Sequence, residues 1–375
     1  MIRIGFVLLS NSQHPIPSTR IAVLNMFPYL RAAGFDPQIV FEPERGTETP
    51  QLPADLAARL VADEFQIIYF QKVHGPDVEN LARTLRTHGI RTVYGVCDLV
   101  HETMATLTDA TVIVTDYLKS LYSPALWPKI HVVHDGIEHP EIVCDAHSKE
   151  RGSRRNPLRA VLVTSAELDR LPILKTLPPW LSVSIVGRYP PAGQRIRRIR
   201  EAHWTFDRQL GWQARIAYLR FLANPGIHRI AWDPVDVYEQ LRRADIGIIP
   251  IDTTESAEPG RLEPMWKVKS ENRLTMKMCI GIPVIATPIP SYEPIIEQGR
   301  NGFFASSRTE WLEYLDALRD PALRRDIGTN ARASVINRYS MQEQARLLVD
   351  VLRKLVADPI GHTDYENAQP LLSER

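Results

Sequence analysis

Short, continuously apolar runs alternate along the chain with stretches whose apolar residues recur every three or four positions. Up to Asp135 the runs are RIGFVLL, PQIVFEP, QIIYFQK, RTVYGV, ATVIVT and KIHVVHDG. Most show no in–out alternation, as expected of parallel strands covered on both faces. Helical stretches lie between them, among them STRIAVLNMFPYLRAAG and PDVENLARTLRTHG. Each ends at a glycine, a common helix stop. Ser18 is the expected cap of the first helix. Such alternation predicts a parallel, doubly wound sheet.

The pattern breaks over 138–157, EHPEIVCDAHSKERGSRRNP, which is polar and nearly free of apolar periodicity. This stretch reads as an interdomain linker. A second series follows, with LRAVLVT, LSVSIVG, IHRIAW, DIGIIPI and IPVIATP as strands. SMQEQARLLVDVLRKLV reads as a long amphipathic helix, and 358–375 as a poorly ordered tail. The expected fold class is α/β, with two tandem Rossmann-like domains, 1–137 and 158–339, facing across a cleft. Ligands in open parallel sheets bind beyond the carboxyl ends of the strands, so function is expected in the loops that follow strands.

Composition changes this picture little. The 375 residues carry a net charge of +1, with 44% hydrophobic and 24% charged residues. No global field recruits nucleic acid or membrane. Cys97, Cys144 and Cys279 are too scattered for a disulfide framework or a zinc knuckle and read as reduced thiols of a cytoplasmic protein. The N-terminal apolar run lacks a small-residue cleavage site and reads as a first core strand. No run approaches the ~18 apolar residues that span a bilayer.

The most informative stretch is WKVKSENRLTMKMCIGIPVIATPIPSY, from Trp266 to Tyr292. It follows the strand ADIGIIPI and a loop over 252–269. Ser270 is the expected cap of a helix with Glu271, Asn272 and Arg273 in its first turn. Helix N-termini offer free N–H groups and the positive end of a dipole. Lys267, Lys269 and Arg273 add charge there that opposes the dipole unless an anion is bound. A diphosphate would resolve that conflict.

The same stretch resembles the donor-binding half of GT-B glycosyltransferases, two-Rossmann-domain enzymes that use nucleotide sugars. Many bacterial members carry K-S-x-N-K/R, then a helix, then G-x-P-V-I-A-T. Here these are Lys269, Ser270, Asn272, Arg273, Gly281, Pro283, Val284, Ile285, Ala286 and Thr287. EQGRNGFF is similar to the family's next strand–turn, and LSVSIVGRYP to a strand end. The resemblance implies a donor held by Lys267, Lys269, Ser270, Asn272 and Arg273, with Tyr292 and Glu293 reaching the sugar or base. It also implies that the last helix, 340–357, crosses back onto the first domain. The chain departs from the largest retaining family at Met276, which replaces the second of two glutamates. Glu263 and Glu271 keep the eight-residue separation but are displaced by five residues. A His–Asp pair of that family is Cys97–Asp98 here, with His101 one turn on. Retention and inversion both stay open.

In the first domain, Asp98 at a strand's carboxyl end is a candidate general base for an acceptor hydroxyl, with His101 and Glu102 behind it. Acceptor contacts are expected from His14 and Arg20 in one loop and from Gln71, Lys72 and His74 in another. His131 and His134 point to opposite sides of a strand, so HVVHDGIEH is not a metal face. No D-x-D pair suggests an essential divalent ion, and no cofactor is expected beyond the nucleotide sugar. The stretch 195–222 holds seven arginines against Glu201 and Asp207, interleaved with aromatics. Such a surface can meet anionic lipid, which would place the protein at the inner face of a membrane.

The reading is a metal-independent glycosyltransferase of glycan or glycoconjugate biosynthesis. It would move a sugar from a nucleotide diphosphate sugar to the hydroxyl of a glycan, lipid-linked or small acceptor, with no nucleic-acid partner. A sugar-nucleotide epimerase on the same fold and a binding module without turnover are the alternatives.

Overall fold

The computed structural model describes residues 1–144, 151–165, 167–168, 171, 176–258 and 261–357. The expected tail, 358–375, lies outside them. The first sheet contains β1 (Ile2–Val7), β2 (Phe35–Phe41), β3 (Ile67–Gln71), β4 (Arg91–Val96), β5 (Ala110–Ile113) and β6 (Ile130–Val132). The second contains β7 (Leu158–Val163), β8 (Leu181–Gly187), β9 (Ile227–Ala231), β10 (Ile246–Ile249), β11 (Val284–Ala286) and β12 (Phe303–Phe304). The strand orders are β2-β1-β3-β4-β5-β6 and β12-β11-β10-β7-β8-β9, parallel throughout. Every apolar run singled out in the sequence contains a strand.

β3 shows why its run is continuous. Ile67 and Tyr69 join the core on one face of the sheet, while Ile68 and Phe70 join the core on the other. Successive side chains of a strand point to opposite faces, and here both faces are covered, so none of these four positions is left for a polar residue.

The first domain carries helices α1 (Pro17–Ala22), α2 (Phe27–Ala32), α3 (Leu56–Ala62), α4 (Pro76–Thr87), α5 (Glu102–Leu107) and α6 (Asp116–Ser120). The second carries α7 (Arg195–Arg208), α8 (Trp212–Ala223), α9 (Asp236–Arg243), α10 (Asn272–Ile280), α11 (Arg308–Ala317) and α12 (Pro321–Val335). The single helix expected after β1 is broken into α1, a 3-10 turn and α2. Val23 leaves helical geometry at φ −127°, and Pro28 brings no N–H. Ser18 does not cap α1; Ile16 holds the cap position, with Pro17 at the first helical position.

The last helix, α13 (Met341–Ala357), returns to the first domain. Met341, Ala345, Leu348 and Leu352 pack with Ile4, Phe6 and Leu30 in one core. The two crossings of the chain meet where the Ile137 N–H donates to the Tyr339 carbonyl at 2.8 Å. Gly136 permits that approach, because a Cβ there would lie 2.7 Å from Met341 Sδ. The expected linker is in part pinned to the second domain, since buried Arg151 pairs with Asp245 at 3.1 Å.

Candidate functional site

The carboxyl ends of β3, β4 and β6 face the start of α10. Lys72, just past β3, has φ +57°, a conformation that costs a non-glycine residue of order 1–3 kcal/mol. Its Nζ lies 2.6 Å from Asp98 Oδ1, past β4, and 3.5 Å from Glu48 Oε1. Burial opposes the Lys72 charge, but Cys97, Asp98 and Glu48 around it hold the ammonium above its usual range. The Lys72 side chain is 9% exposed and that of Asp98 29%, so Asp98 is the member of the pair that faces solvent.

Asp98 does not cap the next helix. His101 does, with Nδ1 accepting from Met104 N at 3.2 Å. His101 also stacks on His74, ring centroids 4.3 Å apart. Burial, then the neighbouring His74, holds its imidazole below the usual range. Only Nε2 of His101 is left for proton transfer. His74 itself reaches Glu48 at 3.8 Å.

On the other side, α10 begins at Asn272 with Glu271 at the cap position and no side-chain cap. The expected Ser270 cap is absent: the Ser270 hydroxyl bonds Asp135 instead. The first amides of α10 have no intrahelical acceptor. Lys269 is half-buried and held below the usual range by burial and then by Arg273, while Asp98 and Glu255 pull the other way. Arg273 donates to Ser165 Oγ at 2.8 Å. Among the described residues neither cation forms an ion pair. Two like charges side by side at a helix N-terminus suit an anion. The helix ends at Gly281 in the left-handed conformation, φ +85°, as the sequence predicts.

Other expected contacts lie elsewhere. Lys267 is paired with Glu263 at 2.8 Å and rests over Trp266. Tyr292 is fully buried, its hydroxyl has no hydrogen-bond partner among the described residues, and burial pushes it up to about 12; Glu293 is exposed. Arg20, expected to meet an acceptor, is taken up by Glu138 through two hydrogen bonds of 2.7 and 2.9 Å. Glu138 also accepts from Asn25 and from Tyr238 of the second domain. Gln71 is buried and serves the fold: its Oε1 accepts from Leu9 N and Thr19 Oγ1. His14 is exposed.

The two domains touch on either side of this site. Val268, in the loop before α10, belongs to the core of the first domain, and Met265 packs beside it. His134 Nδ1 lies 2.9 Å from Glu271 Oε1, and Glu271 is 1% exposed. Between this pair and Asp98 sits Asp135, pushed up to about 7 by burial, then by Glu271, with the Ser270 bond opposing. Glu48, Asp135 and Glu271 are acidic members of the site that sequence reasoning did not assign. HDG at a strand's carboxyl end was the available signal for Asp135.

Residues 182–350 match the glycosyl transferase-like family. The chain has the two-domain fold of GT-B glycosyltransferases. No curated protein sequence matches it significantly. Solved glycosyltransferase structures share its fold across both domains. A glycosyltransferase from Rickettsia africae ESF-5 is 12% identical, with a TM-score of 0.65, over 96% of this chain and 99% of that one. Anabaena HepE in complex with UDP and glucose is 13% identical, with a TM-score of 0.62, over 94% and 100%. Sucrose-phosphate synthase from Thermosynechococcus elongatus is 13% identical, with a TM-score of 0.63, over 95% and 100%. At these identities the likeness is one of fold, and the site must be read from this chain's own residues.

Proposed function

We propose that the protein is a glycosyltransferase that moves a sugar from a nucleotide diphosphate sugar to an acceptor hydroxyl in glycan or glycoconjugate assembly. The observation that carries this is the pair Lys269–Arg273 at the uncapped start of α10, without ion-pair partners among the described residues and on the side of Asp98. UDP and glucose in the HepE structure support the donor class.

Lys269, Arg273 and the first amides of α10 hold the diphosphate and stabilise its charge as the bond to the sugar breaks. We assign that neutralisation to these groups, with no metal ion required. Asp98 takes the proton of the acceptor hydroxyl, and Lys72 fixes the Asp98 carboxylate. His74, stacked on His101, borders the acceptor side. Closure of the two domains on the donor would exclude water that hydrolyses it.

We also place the protein at the cytoplasmic periphery of an anionic membrane, contacting it through 195–222. None of its described helices is long and apolar enough to cross a bilayer.

The test is incubation with UDP-, GDP-, ADP- and dTDP-sugars, following free nucleotide. Slow nucleotide release from one donor, faster with acceptor, is expected. An isomerised donor, or saturable binding without release, would overturn the transfer reading.

A further inference from the structure

Helix α7 spans 14 residues and buries none of them. Phe206 of α7 packs half-buried against the core of the second domain, in which its neighbour α8 buries Tyr218 and Phe221. Large apolar side chains stand in water along α7 and at its junction with α8. Ile196 is 84% exposed, Ile199 70%, Trp204 60%, Leu210 93% and Trp212 71%. A folded soluble protein seldom exposes so many large apolar groups together unless something covers them.

The surrounding charge narrows what covers them. The stretch 195–222 holds seven arginines against two acids, a surplus of five in a chain whose net charge is +1. Arg195, Arg197, Arg200, Arg208 and Arg220 are exposed. Arg208 lies over the Trp204 ring, 4.3 Å from its centroid, so cation and aromatic share one place on the surface. A second copy of the chain would set this surplus against itself. Nucleic acid would use the arginines but leave Ile196, Ile199 and Leu210 in water. A bilayer with acidic headgroups satisfies both: acyl boundary for the leucine and isoleucines, headgroup level for the tryptophans, lipid phosphate for the arginines.

We infer that the α7–α8 elbow is a membrane-docking surface, with Trp204, Leu210 and Trp212 entering the headgroup region of an anionic bilayer. The inference rests on the peripheral-membrane part of the proposed function and is independent of the transfer chemistry.

Vesicles of phosphatidylglycerol and phosphatidylcholine, and vesicles of phosphatidylcholine alone, test it by co-sedimentation. Wild-type protein should pellet with the acidic vesicles, be released by salt, and bind the neutral ones at least tenfold more weakly. Leu210→Glu with Trp212→Glu should lower acidic-vesicle binding at least tenfold. Thermal melting and nucleotide affinity should stay unchanged, since both side chains are exposed. Wild-type protein that ignores acidic vesicles at low salt overturns the elbow and the peripheral reading together. Equal binding by the double variant overturns the elbow alone. Concentration-dependent dimers that the double variant abolishes, with no vesicle binding, would make the elbow a self-association surface and overturn its membrane role.

Discussion

His134 Nδ1 lies 2.9 Å from Glu271 Oε1, and the pair joins the two domains at a point where Glu271 is 1% exposed. Nδ1 also lies 2.8 Å from the Val114 carbonyl. Burial opposes the His134 charge, but Glu271 raises its proton affinity above the ordinary value. Beside it Asp135 is pushed up to about 7. Both groups hold protons more tightly in the folded protein than in the unfolded chain.

The sign of the resulting pH dependence is fixed by linkage. His134 stabilises the fold below about pH 6.5, its unfolded value, and that contribution fades as pH rises through its higher folded value. Asp135 acts in the same direction between about pH 4 and about 7. The melting temperature should therefore fall from pH 5 to pH 8 more steeply in wild type than in Asp135→Asn, which mimics the protonated acid. Parallel melting curves for the two proteins across that range would contradict the burial of an ionisable Asp135.

Lys269→Ala should weaken binding of the nucleotide diphosphate by roughly 10- to 100-fold. Charge-assisted hydrogen bonds contribute about 1.5–3 kcal/mol each. Arg273→Ala should do the same, less any share that Ser165 can supply. The parent nucleoside should bind both variants as it binds wild type. Calorimetry with nucleoside and diphosphate side by side separates a lost phosphate contact from a damaged fold. Full diphosphate affinity in both variants would end the anion-site assignment.

Asp98→Asn should leave diphosphate affinity nearly intact and lower transfer at least roughly tenfold, since a positioned base contributes about 10²–10⁴. The loss should fall on kcat rather than on the KM for donor. Wild-type turnover would reduce Asp98 to a structural partner of Lys72.

Lys277 is fully buried in α10, donates to the Arg273 carbonyl at 2.8 Å, and is pushed down to about 7 by burial and then by Arg273. Gly247 makes room for its stem, since a Cβ there would lie 2.7 Å from Lys277 Cδ. Folding above pH 7 releases its proton, so stability should rise from pH 7 toward pH 10. Lys277→Met should flatten that rise and lift the melting temperature at pH 7 by roughly 2–4 °C or more. A variant that melts lower at pH 7 would show that the amine makes a needed contact.

The strands were legible because burial on both faces demands apolar runs, as β3 shows residue by residue. The start of α10 was legible as a helix start bearing cations at the carboxyl ends of the strands, because Lys269 and Arg273 flank a helical pattern that follows a strand and loop. Side-chain destinations were not. Arg20 and Glu138 are 118 positions apart in sequence, and no local pattern announces their pairing. Gln71 looked like a cleft residue because it ends a strand, yet it turns inward to Leu9 and Thr19. Ser18 and Ser270 fit the composition of caps, but Pro17 set one helix start earlier and Asp135 engaged the other serine. Glu271 was read as a first-turn residue. Its burial against His134 depends on how two separate domains meet.

The return of α13 to the first domain fixes an order of events during synthesis. Met341, Leu348 and Leu352 complete the core around Ile4, Phe6 and Leu30, so the first domain is built from both ends of the chain. While the ribosome makes the middle of the protein, one face of the first sheet lacks its covering helix. The second domain, whose sheet lies wholly between Leu158 and Phe304, can close before the first one does. A nascent chain released before Met341 would keep an exposed apolar face, the state that draws chaperones or aggregates. Removing the last helix should therefore be lethal to solubility even though it lies apart from Lys269 and Arg273 in the proposed anion site.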